Sequence, residues 1–236
     1  MGGSFAVKER PWWERWLDYL YVPSCPGCGL VGQYGLCAEC AGEIKPLKIS
    51  FGASFAVYAA GWYSGALKNA LLRCKKAEQT YLTYDLVRHM LSVAVYGGLC
   101  SEPDWKGSIC VPIPPDPKRY RKRGFHCPDL LARELCRQFL GWHYQPKLLQ
   151  LTRSLKSQKL LSRYERFLNV QGAYQVVREI RGESILLIDD VITTGATLIE
   201  AARAMFRAGA VRVAALTAVA SAHLERSGFT IEEITN

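Results

Sequence analysis

Ile185-Leu186-Leu187-Ile188-Asp189-Asp190-Val191-Ile192-Thr193-Thr194-Gly195-Ala196-Thr197 reads as a buried strand that ends on two acids and passes through a hydroxyl-rich loop into a helix. Four apolar residues in a row suit a central strand. Acids at the carboxyl end of such a strand stand where open α/β sheets bind their ligands. The loop at 193–197 offers backbone N–H groups at a helix start, joined by the hydroxyls of Thr193, Thr194 and Thr197, which together make an anion cradle. Gly195 lets the backbone come close to a phosphate. Carboxylates beside that cradle would repel a bare phosphate, so the ligand must also present hydroxyls or a cation to them. A ribose 5-phosphate meets both demands, diol toward Asp189 and Asp190, phosphate toward the loop. The bland alternative is a strand end whose acid merely caps a helix. An acidic couple buried in an ion pair, with its turn occluded, would contradict the sugar-phosphate reading.

Outward from this stretch the pattern alternates. A strand or two is expected in 53–63, helices over 65–78 and 80–96, a strand over 108–113, and a helix over 127–139. A strand is expected at 147–151, a polar, basic loop with some helix at 152–172, a buried strand at 184–188, a helix at 195–208 and a strand at 211–219. Strands alternating with helices imply a parallel α/β sheet flanked by helices. Before it, Trp12, Trp16, Tyr19 and Leu20 fall at helical spacing behind Pro11, which suits a first helical turn. This reads as a short helix packed on the next module. Glu14 and Asp18 disfavour a membrane-surface helix there. The expected division is residues 1–45, holding that helix and a cysteine module, and residues 46–236 for the main domain.

The 236 residues are 49% hydrophobic and 22% charged, which suits a folded chain with a real core. Lys and Arg outnumber Asp and Glu by 30 to 21, a net charge of +9 that favours anionic partners without choosing among them. No apolar run reaches membrane-spanning length, and the N-terminus carries charge where a signal peptide needs an apolar stretch. A cytoplasmic protein is the expectation.

Nine cysteines include Cys25-Pro26-Gly27-Cys28 and Cys37-Ala38-Glu39-Cys40. This spacing and the tight Pro-Gly turn predict four thiolates around a tetrahedral structural zinc. A pair of redox motifs is the alternative, disfavoured because neither pair is expected to open a helix after a strand. The remaining cysteines read as scattered, buried, reduced thiols.

Three further segments narrow the reading. Val111-Pro112-Ile113-Pro114 leads into Lys118-Arg119-Tyr120-Arg121-Lys122-Arg123-Gly124-Phe125. Gln158-Lys159-Leu160-Leu161-Ser162-Arg163 and Arg166-Phe167-Leu168-Asn169-Val170 follow. The 185–197 stretch resembles the phosphoribosyl-pyrophosphate (PRPP) signature of type I phosphoribosyltransferases. With the cysteine module and these segments, residues 18–220 resemble the ComF family, also called GntX-like or amidophosphoribosyltransferase-like competence proteins. Three positions depart from that family's pattern: His126-Cys127 replaces Asn-Gln, and Leu155 replaces Thr. Thr193 stands where hypoxanthine-type enzymes carry an Asp, which argues against that substrate class.

The resemblance implies a type I phosphoribosyltransferase fold with an N-terminal zinc module. It implies that Asp189 and Asp190 bind the ribose hydroxyls, and that Thr193, Thr194, Gly195, Ala196 and Thr197 hold the 5′-phosphate. PRPP would come with Mg²⁺. Arg123, Arg163 and Arg166 are the candidates to neutralise departing pyrophosphate, the last two on a loop that closes over the site. Tyr63 and Lys68 are candidates for the hood. The implied role is natural transformation and DNA uptake, as a phosphoribosyltransferase transferring a pentosyl group to an unknown acceptor. The alternative is a non-catalytic adaptor binding single-stranded DNA for a competence helicase and recombination loaders, touching the membrane only through partners. The sequence leaves the oligomeric state open.

Overall fold

The computed structural model describes residues 23–33, 35–75, 83–100, 103–117, 120–121, 124–155 and 162–234, with the backbone alone for Arg163, Arg226 and Ser227. The expected helix at 11–20 lies outside these residues. In chain order the elements are α1 (Ala38–Gly42), β1 (Leu47–Phe51), β2 (Phe55–Ala59), α2 (Gly65–Cys74), α3 (Thr83–Tyr96), β3 (Ile109–Pro112) and α4 (Cys127–Gln138). They continue with β4 (His143–Tyr144), β5 (Leu149–Leu151), α5 (Arg163–Val170), β6 (Tyr174–Val176), β7 (Ser184–Ile192), α6 (Ala196–Arg207), β8 (Arg212–Ala220) and β9 (Thr230–Glu233).

Seven strands form one sheet in the order β4-β3-β7-β8-β2-β1-β9. From β4 to β2 every neighbouring pair is parallel, while β1 pairs antiparallel with both β2 and β9. Strands buried on both faces should be apolar, and β7 over Ile185–Ile188 and β8 over Val213–Leu216 are. Ile185 and Leu187 of β7 meet Leu198, Ala201 and Met205 of α6 on one face. Leu186 and Ile188 meet Leu67 and Leu71 of α2, Met90 of α3 and Leu131 of α4 on the other. The result is a sheet between two helical layers.

This layering places the ligand crevice. After β3 the chain leaves the sheet into α4 on one face; after β7 it leaves into α6 on the opposite face. Adjacent parallel strands whose connections diverge leave a cleft beyond their carboxyl ends.

Three differences from the sequence reading are informative. The strand expected to stop at Ile188 runs on to Ile192, so the two acids lie within β7, beyond the end of β3, with Asp189 still paired with β8. Consecutive strand residues face opposite ways, which separates the surroundings of Asp189 from those of Asp190. The basic loop contains a full helix, α5, closed by a capping box: Ser162 accepts from the Glu165 N–H while the Glu165 carboxylate accepts from the Ser162 N–H at 2.7 Å. And β1 and β9, which periodicity did not reveal, extend the far side of the sheet.

Candidate active site and metal centre

A cavity of about 400 Å³ opens at the carboxyl ends of β3 and β7. Its wall includes Asp189, Asp190 and all of Thr193, Thr194, Gly195, Ala196 and Thr197. The elements that meet there follow from the switch point: the Pro-rich exit of β3, the start of α4, the loop into α6, and β5 and β6 leaning in from the side.

The loop begins α6 from a left-handed residue. Gly195 sits at φ +76°, and a Cβ there would stand 2.7 Å from the Phe51 ring. Backbone conformation and space therefore both require glycine. Thr194 Oγ1 accepts from the Ala196 N–H at 3.4 Å, which tightens the turn.

The two acids differ in their company. Asp189 accepts from the backbone N–H of Asp190 at 2.8 Å. On its side of the sheet lie Tyr174 and, across the β7–β8 pairing, Thr217. Burial, and then the charge of Asp190, push the Asp189 carboxyl well above its ordinary range. Tyr174 is itself pushed up by burial first and by the Asp189 charge second, and it hydrogen-bonds Thr197. Asp190, facing the other way, pairs with Lys75: Nζ stands 2.7 Å from Oδ2, with the two side chains 20% and 18% exposed. The ion pair does not close the site, since both partners and the whole adjoining turn line the cavity.

Behind that pair sit two thiols. Cys74 hydrogen-bonds Thr83 at 3.4 Å, and Cys127 lines the cavity at the start of α4. The hydrogen bond to Cys74 and burial push Cys127 well above the usual thiol range. The cysteines read as scattered thus include a pair that the fold brings together.

Of the basic candidates, Arg123 lies outside the described residues and Arg163 is described by its backbone alone. Arg166 is half-buried on α5 and is not among the residues lining the cavity. Tyr63 does line it, whereas Lys68 is exposed and stands 5.9 Å over the Tyr63 ring. His126, Cys127 and Leu155, the departures from the family pattern, all line the cavity. Lys75 and Tyr174 were not foreseen, and no local signal marks either.

The four cysteines of the first module converge. Their Sγ atoms all lie within 4.8 Å of one another, and Cys28 and Cys37 are 3.8 Å apart. Tetrahedral zinc with bonds of about 2.3 Å sets its sulfurs about 3.8 Å apart, so the donor set fits that ion. The Cys37 N–H donates to Cys25 Sγ at 3.3 Å, a bond suited to a thiolate. As expected, neither pair opens a helix after a strand: the second pair stands at the start of α1, which has five residues and no strand leading directly into it. The convergence of all four sulfurs, rather than the absence of a helix, argues for a metal.

The module is pressed onto α2. A Cβ on Gly27 would lie 2.8 Å from Ala66 Cβ. Asn69 donates to the Gly27 carbonyl at 2.8 Å and Arg73 to the Cys25 carbonyl at 3.3 Å.

Residues 131–233 match the family model described as the phosphoribosyl transferase domain. Over 191 residues, 80% of each chain, the sequence is 26% identical to the DNA utilization protein YhgH of Escherichia coli K12. It is also 26% identical over 211 residues to competence protein F of Haemophilus influenzae, covering 78% of this chain and 90% of that one. Among solved structures, the AQ2163 protein of Aquifex aeolicus is similar with a TM-score of 0.41 and 16% identity, over 68% of this chain and 76% of that one.

Proposed function

We propose that the chain, whose residues 131–233 match the phosphoribosyl transferase domain and which is similar to YhgH and competence protein F, is a ComF-like type I phosphoribosyltransferase that binds PRPP in the cavity beyond β3 and β7 and transfers the phosphoribosyl group to an acceptor. The supporting observation is the convergence of both acids with the complete 193–197 cradle on one open cavity. Asp189 and Asp190 accept from the ribose hydroxyls. The loop N–H and hydroxyl groups hold the 5′-phosphate at the start of α6, where the helix dipole favours an anion.

In the reaction, the bond from ribose C1 to the pyrophosphate oxygen breaks and its electron pair leaves with pyrophosphate. The acceptor then forms the new bond to C1. Mg²⁺ arriving with PRPP would supply charge neutralisation to the leaving group. Arg123, Arg163 and Arg166 are the side chains we assign to the remainder, brought in as the segment before and through α5 closes and excludes water. Titration calorimetry with PRPP and Mg²⁺ tests the reading: saturable heat with one site per chain is expected, and none at millimolar ligand removes it.

Two of the relatives are named a DNA utilization protein and a competence protein, which supports a second reading of the same molecule as a protein that handles DNA; the cytoplasmic helicase and recombination loaders beside it are part of our proposal. The +9 charge supports single-strand binding through phosphate contacts. Affinity for a labelled oligonucleotide should then fall steeply between low and physiological salt. A flat profile, or no binding, would remove this reading and leave the first intact. Among the described residues no helix is long and apolar enough to cross a membrane.

A further inference from the structure

We infer that Lys75 is the positioning residue of the sugar site: its ammonium holds Asp190 charged and aimed at the ribose diol. The inference rests on the PRPP reading and adds to it a residue that lies more than a hundred positions from the signature loop.

Among the described residues lining the cavity, Lys75 is the only Lys or Arg, against three carboxylates at Asp116, Asp189 and Asp190. A ligand with several phosphate charges would meet net repulsion from such a wall. One ammonium directly on a carboxylate removes part of it. The contact is also directional. Lys75 Nζ occupies Asp190 Oδ2 at 2.7 Å. A carboxylate has about four acceptor sites on its two oxygens, so Oδ1 stays available to a hydroxyl. The diol therefore docks without displacing the lysine.

Lys75 is well held for this task. It caps α2, its N–H donating to the Leu71 carbonyl at 3.0 Å. A cation at a helix carboxyl end is favoured by the dipole. The same helix is fixed from outside by Asn69 and Arg73, which grip the four-cysteine module. The charge of Asp190 raises the Lys75 pKa against the opposing effect of burial, so the ammonium persists across the working range.

Lys75→Met and Lys75→Arg are titrated with PRPP and Mg²⁺ and, separately, with ribose 5-phosphate. Outer partners that orient a contact residue typically contribute about 10–100-fold, so Lys75→Met should weaken both ligands by that factor and by the same factor. Lys75→Arg should recover most of it. In the Asp190→Asn background Lys75→Met should add little further loss, since its partner is already gone. A loss confined to PRPP would overturn the inference, because it would mean that Lys75 meets the pyrophosphate directly. Full binding by Lys75→Met would overturn it as well. Absence of binding by the unaltered protein would remove the PRPP reading itself, a result distinct from either. Thermal melts of each variant separate lost binding from lost fold.

Discussion

Asp189→Asn should make the empty protein more stable and Asp190→Asn should make it less stable, while each loses most of its affinity for PRPP. The losses have one origin. Each substitution removes a charged acceptor of a sugar hydroxyl, worth about 1.5–3 kcal/mol, or roughly 10–150-fold in affinity. The stability changes have opposite signs because the two acids face different layers. Asp189 holds its proton more tightly in the fold than in the unfolded chain, whose ordinary value is 3.8. Stability linked to that proton is complete below 3.8 and is lost as pH rises through the folded value, because the unfolded chain ionises first. Asparagine carries no such penalty, so the gain from Asp189→Asn should be absent near pH 3.5 and grow toward neutrality. Asp190→Asn instead leaves the Lys75 ammonium, 20% exposed, without its carboxylate. Stranding a mostly buried charge costs about 1–3 kcal/mol once partial solvent access is allowed for. At about 2–4 °C per kcal/mol for a chain of this size, melts at pH 7.5 resolve both. Shifts of the same sign for the two variants would contradict this account of the site.

Cys40→Ser should release the metal and loosen far more than the first module. The unaltered protein should carry one zinc per chain by elemental analysis, and the variant markedly less. Structural zinc contributes about 10–16 kcal/mol of apparent binding energy, much of it realised as folding of the segment that binds it. Cys40 is buried against Cys25, Cys37 and Ala66, so serine cannot be accommodated by swinging the side chain into solvent. The effect should spread through Asn69 and Arg73, whose acceptors are carbonyls of the metal loop. Hydrogen exchange should therefore rise over residues 23–45 and also along α2. Unchanged exchange in α2 would show that the module is an independent appendage. A fully folded, metal-free wild type would refute the zinc assignment.

The parts of this molecule that were readable in the sequence are those whose causes are local. The 185–197 stretch carries its strand, its acids, its turn and its helix start within thirteen consecutive residues, and the part from Asp189 to Thr197 lines one cavity. The cysteines declared themselves by spacing. The helices α2, α3, α4 and α6 followed from apolar periodicity, with ends shifted by a few residues. What escaped was decided at a distance. Lys75 is an ordinary lysine after a helix until β7 brings Asp190 to it. Tyr174 looks like a lone aromatic two residues after a glycine until β6 brings it to Thr197. The strand β1 is five residues long and was overshadowed by the more apolar segment after it, and β9 alternates with glutamates on an edge. The capping box of α5 was a local signal, legible as Ser162 and Glu165, that the basic character of its surroundings concealed.

The sheet order also governs how the chain can be made. β2 lies beside β8, pairing Phe55 with Val213 and Ala59 with Thr217. During synthesis, β2 therefore waits for its parallel neighbour until nearly the whole polypeptide has left the ribosome. Such late, long-range closure slows folding and leaves apolar strand surface open to wrong partners in the meantime. A chain stopped short of β8 would have two separated half-sheets, with Asp190 on one and Lys75 following the other.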